Sequence, residues 1–483
     1  MSRKTTSVLV LAMAMATTAQ ASLASEARAP AIENMLRRTV PIAGAENQRF
    51  KLADRMAHYR VPGVSIAVIE NCRIVDARGF GVASWEGEPV SPDTIFQAGS
   101  ISKSVTAVGA LRLVEEGVLG LDEDVRHFTK SWSYDGAHGA VTLRQLLGHT
   151  AGMNVAGMKG YEPGAPLPTL MQILAGEAPA NTPTIGVEGQ PGSRWSYSGG
   201  GYVVVQSAMS ETSGEEFAPL MRKRVLSALG MNASGFEQPL PADRVQAAAK
   251  GTAGDGSQLP GGWRVYPEQG AAGLWTTPSD LARFAIGLAR STRGEGDAIL
   301  GKEATTQLIA RGPGNWGLGI DLGPADGPRQ ISHTGKTIGY TSMFVIYPDR
   351  CQGAVVMTNG HDGGWLINEI MRAIGDIHHW PRRKQEPAQV TVPLTDEIAD
   401  RFIGTYRLKD FPTERFTISR DPAGTLYSAR GGHVGRTLMP VNDAKLFSPD
   451  SVMTIEVVNP AEGRAATVVL GFGGGSNIAE RMD

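Results

Sequence analysis

A serine and a lysine stand three residues apart in GSISKSVTA (residues 99–107), where an apolar helical pattern begins. If the helix starts at Ser100, Lys103 lies one turn further along the same face. Apolar residues continue at helical spacing after it, so we expect Lys103 to be buried near the positive end of the helix dipole. Both features disfavour the charged amine. Neutral Lys103 could then take the hydroxyl proton of Ser100 and make Ser100 a nucleophile.

The same spacing also has a simpler interpretation. In a chain of this length and average composition, a serine followed three residues later by a lysine is expected about once by chance. A serine at a helix N-cap, with an exposed lysine beyond it, needs no catalytic role. The pair therefore gains weight only from other residues that could share its site.

Two later segments supply such residues. Tyr197 lies in RWSYSGGGY, a polar turn before a glycine-rich helix start, and His333, Thr334 and Gly335 open the strand-like stretch ISHTGKTIGY. Taken with the serine and the lysine, this order resembles the serine β-lactamase and penicillin-binding protein superfamily. The likeness covers about residues 63–376. It is strongest to the class C β-lactamase branch, which includes D-alanyl-D-alanine carboxypeptidases, D-aminopeptidases and esterases.

The resemblance implies a role for each matching residue. Ser100 would be the acylated nucleophile, and Lys103 would exchange its proton. Tyr197 would be a second acid/base, which protonates the leaving group and later activates water. The backbone N–H groups of Ser100 and Lys336 would form the oxyanion hole, where they stabilise charge that develops only in the tetrahedral intermediate. Gly335 would let the substrate approach the strand closely.

Two positions depart from the family pattern. Gly199 stands where the second motif commonly has an asparagine that holds a substrate amide. His333 stands where the third motif commonly has a lysine, whose permanent charge suits a substrate carboxylate. A histidine near its reference pKa of about 6.5 is only partly charged at neutral pH. We therefore expect His333, Thr334, Gly335 and Gly199 to contact a substrate that is not an efficiently hydrolysed β-lactam.

These residues predict a serine hydrolase that acts through an acyl-enzyme on amide or ester bonds. The resemblance implies D-amino-acid peptides or small esters as substrates. A true β-lactamase is one alternative. A catalytically silent, penicillin-binding-like scaffold or binding protein is another, although a silent copy would be free to lose Ser100, Lys103 or Tyr197. The partner in each catalytic case is a small molecule or a peptide, and no pattern in the sequence indicates an oligomeric state.

The elements around the motifs predict how the site is assembled. A helical segment over residues 32–59 precedes a β-hairpin, and helical patterns dominate the middle of the chain before strand patterns return near residue 340. Strands at both ends of a helical section predict an α+β fold, in which an antiparallel sheet flanked by helices carries an inserted helical subdomain. This is the β-lactamase/transpeptidase-like architecture that the resemblance implies.

A second domain follows a linker. Residues 381–394 are rich in proline and charge, and beyond them short alternating runs such as FTISR and ATVVLGF recur between turn residues. This pattern is typical of a small antiparallel β-barrel or sandwich, and the resemblance favours a lipocalin-like barrel. We therefore predict a signal peptide at residues 1–21, a hydrolase domain over 22–380 and a C-terminal barrel over 395–483.

The first residues predict export. A basic start, an apolar run and small residues at Ala19 and Ala21 form an export signal, with cleavage near Ala21. A retained membrane anchor is the alternative, but the run is shorter than the ~20 residues that a spanning helix needs. Export to the periplasm or beyond permits disulfides. The two cysteines, Cys72 and Cys351, follow β-like runs and could pair across one sheet, or both could be free thiols.

Composition excludes other classes of partner and cofactor. The formal net charge is −2 and the charged residues are evenly scattered, so no basic face predicts nucleic-acid binding. There is no CxxC or HExxH, and the nine histidines show no metal-ligand spacing, so we expect neither metal nor organic cofactor. We interpret His149 as a capping or loop-packing residue. His361 and Asp362 are interpreted as part of a turn.

Overall fold

The structure is a computed structural model that describes residues 32–134, 136, 139–381, 385–459, 463–472 and 475–483. The predicted signal at residues 1–21 lies outside the described residues, as does part of the predicted linker, residues 382–384. Within the described part, every helix is too short or too polar to cross a bilayer.

A five-stranded antiparallel sheet is assembled from the two ends of the hydrolase region. Its strands are β1 (Gly63–Glu70), β2 (Arg73–Gly81), β5 (Ile331–Thr337), β6 (Tyr340–Tyr347) and β7 (Gln352–Thr358). Their order is β2-β1-β7-β6-β5, so β5 is an edge strand. Two short strands, β3 (Phe96–Gln97) and β4 (Trp275–Thr276), pair separately. The predicted α+β fold is confirmed.

Eleven α-helices lie in the described residues, and most of them stand between β2 and β5. They are α1 (Leu52–His58), α2 (Ile101–Glu115), α3 (Leu143–Leu147), α4 (Leu170–Ala175), α5 (Gly199–Ser213), α6 (Phe217–Met221), α7 (Gln269–Ala272), α8 (Pro278–Arg293), α9 (Lys302–Leu308), α10 (Gly364–Ile377) and α11 (Asp396–Phe402). A π-helical turn spans Arg222–Leu226, and 3-10 turns span Ile32–Asn34, Val125–His127, Ala242–Ala247 and Pro313–Asn315.

The sheet is buried on both faces because its central strands are apolar at successive positions. In β1, Ile66 and Val68 pack in a core with α1 and α10, whereas Ala67 and Ile69 face the larger core formed with the helical subdomain and α8. Alternate residues of a strand point to opposite faces. This burial fixes the register of the sheet, and with it the position of edge strand β5.

Helix α2 is buried in the larger core although several of its residues are polar. Ser102 donates to the Gly99 carbonyl at 2.6 Å, Ser104 to the Gly319 carbonyl at 2.7 Å, and Thr106 to the Gly270 carbonyl at 2.9 Å. Each buried hydroxyl therefore has an acceptor, which offsets the cost of removing it from water. The bonds to Gly319 and Gly270 also fix α2 against a loop and against α7.

The C-terminal region forms a closed antiparallel barrel, as predicted. Its strands are β8 (Gly404–Leu408), β9 (Arg415–Arg420), β10 (Leu426–Ala429), β11 (Arg436–Asn442), β12 (Lys445–Phe447), β13 (Thr454–Val457), β14 (Thr467–Phe472) and β15 (Gly475–Arg481). The barrel closes where β15 pairs with β8. Side chains of α11 and the inward positions of the strands fill its core.

The predicted helix over residues 32–59 is wrong for most of its length. Only the turn Ile32–Asn34 and helix α1 are helical, and the chain between them is extended or turning. Pro41 has no N–H to give a helix, and Gly44 has a φ of +80°. The N–H of Val40 instead donates to the Pro449 carbonyl at 3.0 Å. This segment therefore runs against the barrel.

Candidate active site

Ser100 and Lys103 meet at the start of α2. The Lys103 Nζ donates to the Ser100 Oγ at 3.1 Å and to the Ala271 carbonyl at 2.8 Å. Lys103 is only 3% exposed, and no carboxylate among the described residues forms an ion pair with it. The ammonium form is therefore buried without an opposite charge, which is the environment that suits a lysine acting as a base.

The start of α2 lies against edge strand β5. Gly99 has a φ of +54°, and a Cβ there would lie 2.7 Å from the Lys336 backbone nitrogen. A Cβ on Gly335 would overlap the Ala98 carbonyl oxygen. Only glycine at these two positions lets the strand and the helix start approach so closely.

The close approach brings two backbone N–H groups to one place. Thr337 and Tyr340 flank a two-residue turn between β5 and β6, so their backbones are hydrogen-bonded to each other. Hydrogen-bonded and non-hydrogen-bonded pairs alternate along an antiparallel ladder, so the next pair, Lys336 and Thr341, is not hydrogen-bonded. The Lys336 N–H therefore points off the sheet edge. The Ser100 N–H is among the helix-start donors that lack an intrahelical acceptor. Their positions fit an oxyanion hole.

Tyr197 lies beside the lysine, immediately before α5. The Lys103 Nζ is 5.1 Å from the centroid of the Tyr197 ring. The next residue, Ser198, caps α5, because its hydroxyl accepts the Gly201 N–H at 3.0 Å. The turn that carries Tyr197 is thus fixed by the helix that follows it.

His149 holds this turn from the other side. Its carbonyl accepts the Ser196 N–H at 2.8 Å and its Nδ1 accepts the Ser198 N–H at 3.1 Å, so it binds both neighbours of Tyr197. The two rings also pack at 4.3 Å between centroids. Burial, with Lys103 and His333 nearby, lowers the pKa of His149 well below its usual value. A neutral ring with Nδ1 as acceptor carries its hydrogen on Nε2, which has no partner.

His333 differs from the sequence expectation. It is 3% exposed, and burial lowers its pKa to about 3, against a backbone hydrogen bond to Thr334 that favours the charged ring. Its Nδ1 lies 2.5 Å from the Thr334 carbonyl, and its Nε2 is buried without a partner. The expectation of a partly charged histidine at neutral pH is therefore wrong, because the ring has no water to stabilise its charge.

The remaining predicted contact residues lie on both sides of the site. In β5, Thr334 is exposed whereas Gly335 is buried, as alternation along a strand requires. The Gly199 N–H donates to the Ala156 carbonyl at 2.9 Å. A Cβ on Gly199 would lie 3.1 Å from the Met158 methyl and 3.2 Å from the Ala156 oxygen. An asparagine here would therefore require the Met158 methyl and the Ala156 carbonyl to move by a few tenths of an ångström.

Sequence analysis missed an aromatic wall and a backbone acceptor. Trp195 and Trp316 pack with ring centroids 5.6 Å apart, and Trp316 lies 5.5 Å from His149 and 5.3 Å from His333. Trp195 was visible two residues before Tyr197. The Ala271 carbonyl carried no signal in its residue type.

Cys72 and Cys351 form a disulfide at the end of the sheet away from these residues. They lie in the β1–β2 and β6–β7 turns, with Cα atoms 5.0 Å apart. The Cys72 N–H also donates to the Cys351 carbonyl at 3.0 Å.

One group in the described residues has the side chains to hold a metal ion. One donor atom from each of His361, Asp362 and His433 lies within 4.8 Å of the others. The Asp362 carboxylate already meets His433 Nδ1 at 3.1 Å, the Val434 N–H at 3.2 Å and Lys336 Nζ at 3.8 Å. These contacts join the loop after β7 to the β10–β11 hairpin of the barrel.

Comparisons with known proteins agree with this geometry. A protein-family model described as Beta-lactamase matches residues 51–374. The chain is 25% identical over 417 residues to a penicillin-binding protein of Bacillus subtilis (strain 168), covering 79% of this chain and 87% of that one. It is 28% identical over 313 residues to esterase EstB of Burkholderia gladioli, covering 56% and 77%. The octameric penicillin-binding protein homologue from Pyrococcus abyssi shares the fold, with a TM-score of 0.59, 23% identity and coverage of 89% and 98%.

Proposed function

The chain belongs to the Beta-lactamase family, and from that premise we propose that it is an exported serine hydrolase that cleaves amide or ester bonds through an acyl-enzyme. The observation that carries the proposal is Lys103, which is buried without a carboxylate partner and bonded to Ser100 Oγ at 3.1 Å. A structural lysine at this depth would need a counter-charge. A lysine that works as a neutral base does not.

The proposed reaction has two halves. Lys103 takes the proton of Ser100 as Oγ attacks the scissile carbonyl, and the N–H groups of Ser100 and Lys336 stabilise the oxyanion. Tyr197, held by His149, passes a proton to the departing amine or alcohol. Water then enters and attacks the ester as Tyr197 draws its proton. The bond to Ser100 breaks, Lys103 returns the proton to Oγ, and the acid is released. No metal or organic cofactor takes part.

D-amino-acid peptides and small esters are the proposed substrates. The relative in Burkholderia gladioli is named an esterase, and another relative is named a penicillin-binding protein. The neutral His333 and the missing side chain at Gly199 oppose efficient β-lactam turnover, because both contacts that the motifs usually provide are absent. Export rests on the predicted signal at residues 1–21, and the domain boundaries at residues 380 and 395 stay predictions.

A covalent probe tests the proposal. The mature protein is incubated with a fluorophosphonate, and its intact mass is then measured by mass spectrometry. Ser100→Ala is treated in the same way, as is the matched control Ser104→Ala, which removes a buried hydroxyl from the same helix. We expect one adduct on the wild type and on the control, and none on Ser100→Ala. An unlabelled wild type would favour the silent binding protein instead.

A substrate panel then ranks the reactions. It contains a D-alanyl anilide, short-chain nitrophenyl esters and a chromogenic cephalosporin. We expect turnover of the anilide or the esters and only slow acylation by the cephalosporin. Fast cephalosporin turnover would replace the proposal with a true β-lactamase.

A further inference from the structure

A cavity of about 650 Å³ lies between the barrel and the exposed face of β5. The hydrolase region contributes Lys336, Asp362 and Trp365, and the barrel contributes Arg430 and Arg436 among others. Lys336 is the residue whose backbone N–H we assign to the oxyanion hole. Lys336 therefore belongs to both places, since its backbone N–H is assigned to the oxyanion hole and its side chain lines this cavity.

The cavity has more positive than negative charge. Four cations line it, Lys336, Arg415, Arg430 and Arg436, and two carboxylates, which belong to Asp362 and Glu414. Arg430 Nη1 pairs with Glu414 at 3.2 Å, and Lys336 Nζ lies 3.8 Å from Asp362.

Arg436 has no such partner. Its guanidinium lies over the Trp365 ring, 4.5 Å from the centroid, and its Nη1 is 3.1 Å from the Met453 sulfur. Within the described ranges, no carboxylate forms an ion pair with it. The nearby Asp450 carboxylate, which is already paired with Arg55, acts on this half-buried guanidinium without contacting it. The guanidinium has therefore lost hydration that no direct ion pair replaces. Its stacking on Trp365 holds the planar donors in place, which is the arrangement that binds a carboxylate with two parallel hydrogen bonds.

We propose that this cavity binds a carboxylate of the substrate and that Arg436, a barrel residue, recognises it. The inference rests on the proposed hydrolase function. It also accounts for His333, because a neutral histidine in β5 cannot supply the charge that the usual lysine offers a carboxylate. The positive charge is supplied instead across the boundary between the barrel and the hydrolase region.

Paired substrates test the assignment. One pair is the mono-4-nitrophenyl ester of glutaric acid and its methyl ester, which places the carboxylate on the acyl side. The other is acetyl-D-alanyl-D-alanine and its C-terminal amide, which places it on the leaving group. We expect kcat/KM to favour the free acid at least tenfold in one pair. Arg436→Gln should lower that preference about tenfold, the effect of one charge-assisted contact.

Two further variants make the result specific. Arg436→Lys keeps the charge and should retain part of the preference. Arg407→Gln removes an arginine from the same barrel that pairs with Glu480 outside the cavity, so it should leave the preference unchanged. Near-ultraviolet circular dichroism checks that each variant is folded. Absence of a preference in both pairs, or a preference that survives in folded Arg436→Gln, would overturn the proposal.

A binding measurement separates this inference from the hydrolase proposal. Acetyl-D-alanine and its amide are titrated calorimetrically into Ser100→Ala, with and without Arg436→Gln. We expect the acid to bind at least tenfold more tightly than the amide, and the second substitution to remove the difference. If the wild type hydrolyses nothing but this difference is found, the hydrolase proposal fails and the carboxylate site stands. If neutral esters are hydrolysed, acid and amide bind equally, and neither substrate pair shows a preference for the free acid, the carboxylate site fails alone.

Discussion

Two buried cations, Arg55 and Lys103, are treated in opposite ways by this protein. Arg55 lies between α1, α10 and the barrel, and its guanidinium bonds to Glu369 at 2.6 Å, Asp450 at 3.2 Å and the Tyr59 hydroxyl at 2.6 Å. Lys103 is as deeply buried, yet its partners are a serine hydroxyl and a backbone carbonyl.

The difference distinguishes a cation that stabilises the fold from a side chain that is proposed to react. Removing a charge from water costs several kcal/mol, and a carboxylate partner with good geometry offsets that cost. Arg55 receives two such partners and joins three parts of the chain. Around Lys103 no carboxylate of the described residues takes that place. Buried polar atoms without a hydrogen-bond partner do not distinguish the two cations, because they lie near both. They are Nε2 of His149 and of His333 near Lys103, and Nε of Arg38 and Nε2 of His58 near Arg55. The difference therefore rests on the carboxylate partners.

Replacing Lys103 should give the largest effect on activity and almost none on stability. Lys103→Met keeps most of the length of the side chain and removes the proposed base. We expect kcat/KM for a nitrophenyl ester to fall about a thousandfold or more, within the range for losing a general base. The melting temperature should stay equal or rise, because a buried amine without a carboxylate partner is replaced by an apolar group.

Lys250→Met is the matched control, since that lysine pairs with Glu86 near the surface. Lys250→Met should keep both the kcat/KM and the melting temperature of the wild type. Activity of Lys103→Met within tenfold of the wild type would show that the unpaired lysine is structural after all.

Replacing Arg55 should lower stability and leave activity almost unchanged. Arg55→Met removes the cationic partner of the buried Glu369 carboxylate and leaves Asp450 with only the longer Arg38 contact at 3.7 Å, which should lower the free energy of unfolding by about 3–5 kcal/mol. Urea titration measures this loss. Activity per folded molecule should stay close to that of the wild type, because Arg55 contacts no residue of the site. A large loss of activity at unchanged stability would contradict the comparison.

The sequence predicted the contact between proposed site residues that lie near each other along the chain. Ser100 and Lys103 share one helix turn, and their contact follows from helical spacing alone. The resemblance carried by the order of the motifs then implied that Tyr197 and β5 would join them. The alternating runs after residue 395 predicted the barrel for the same reason: strand pattern is a local signal.

What the sequence could not predict depends on contacts between distant segments. His333 is neutral because Trp316 and the helical subdomain bury it, and no local pattern shows burial at that depth. The Ala271 carbonyl is a backbone group, which every residue has. Residues 32–59 contain helix-forming stretches, but Pro41 and contacts with the barrel hold most of them extended. Arg436 and Trp365 meet only because the barrel packs on α10.

His333 offers a smaller test through the pH dependence of stability. Its pKa is about 6.5 in an unfolded chain and about 3 in the folded protein. On acidification the unfolded state therefore takes up the proton at a higher pH than the folded state does. The contribution of His333 to the free energy of unfolding is at its full value above pH 6.5 and falls as the pH drops toward 3. The slope is at most about 1.4 kcal/mol per pH unit.

Melting curves of the wild type and His333→Gln from pH 4 to 8 check this expectation. The variant should lose less stability on acidification, although buried His149 still contributes in the same direction. His127→Gln, which changes an exposed histidine, should follow the wild type. A constant difference between His333→Gln and the wild type at every pH would mean that the ring titrates normally.

Glu268 should give the smallest effect, with the opposite sign. Both of its carboxylate oxygens are buried without partners just before α7, the helix that carries the Lys103 acceptor, and burial raises its pKa to about 7. In the unfolded chain this carboxyl ionises near pH 4.5. The contribution of Glu268 to the free energy of unfolding therefore falls as the pH rises from 4.5 to 7, and it does not fall further above pH 7. Glu268→Gln should therefore gain melting temperature relative to the wild type across that window, whereas exposed Glu303→Gln should not. If Glu268→Gln also lowers kcat, the unpaired carboxylate acts on Lys103 through α7, and Glu268 and Lys103 work together. If kcat is unchanged, Glu268 takes no part in the reaction.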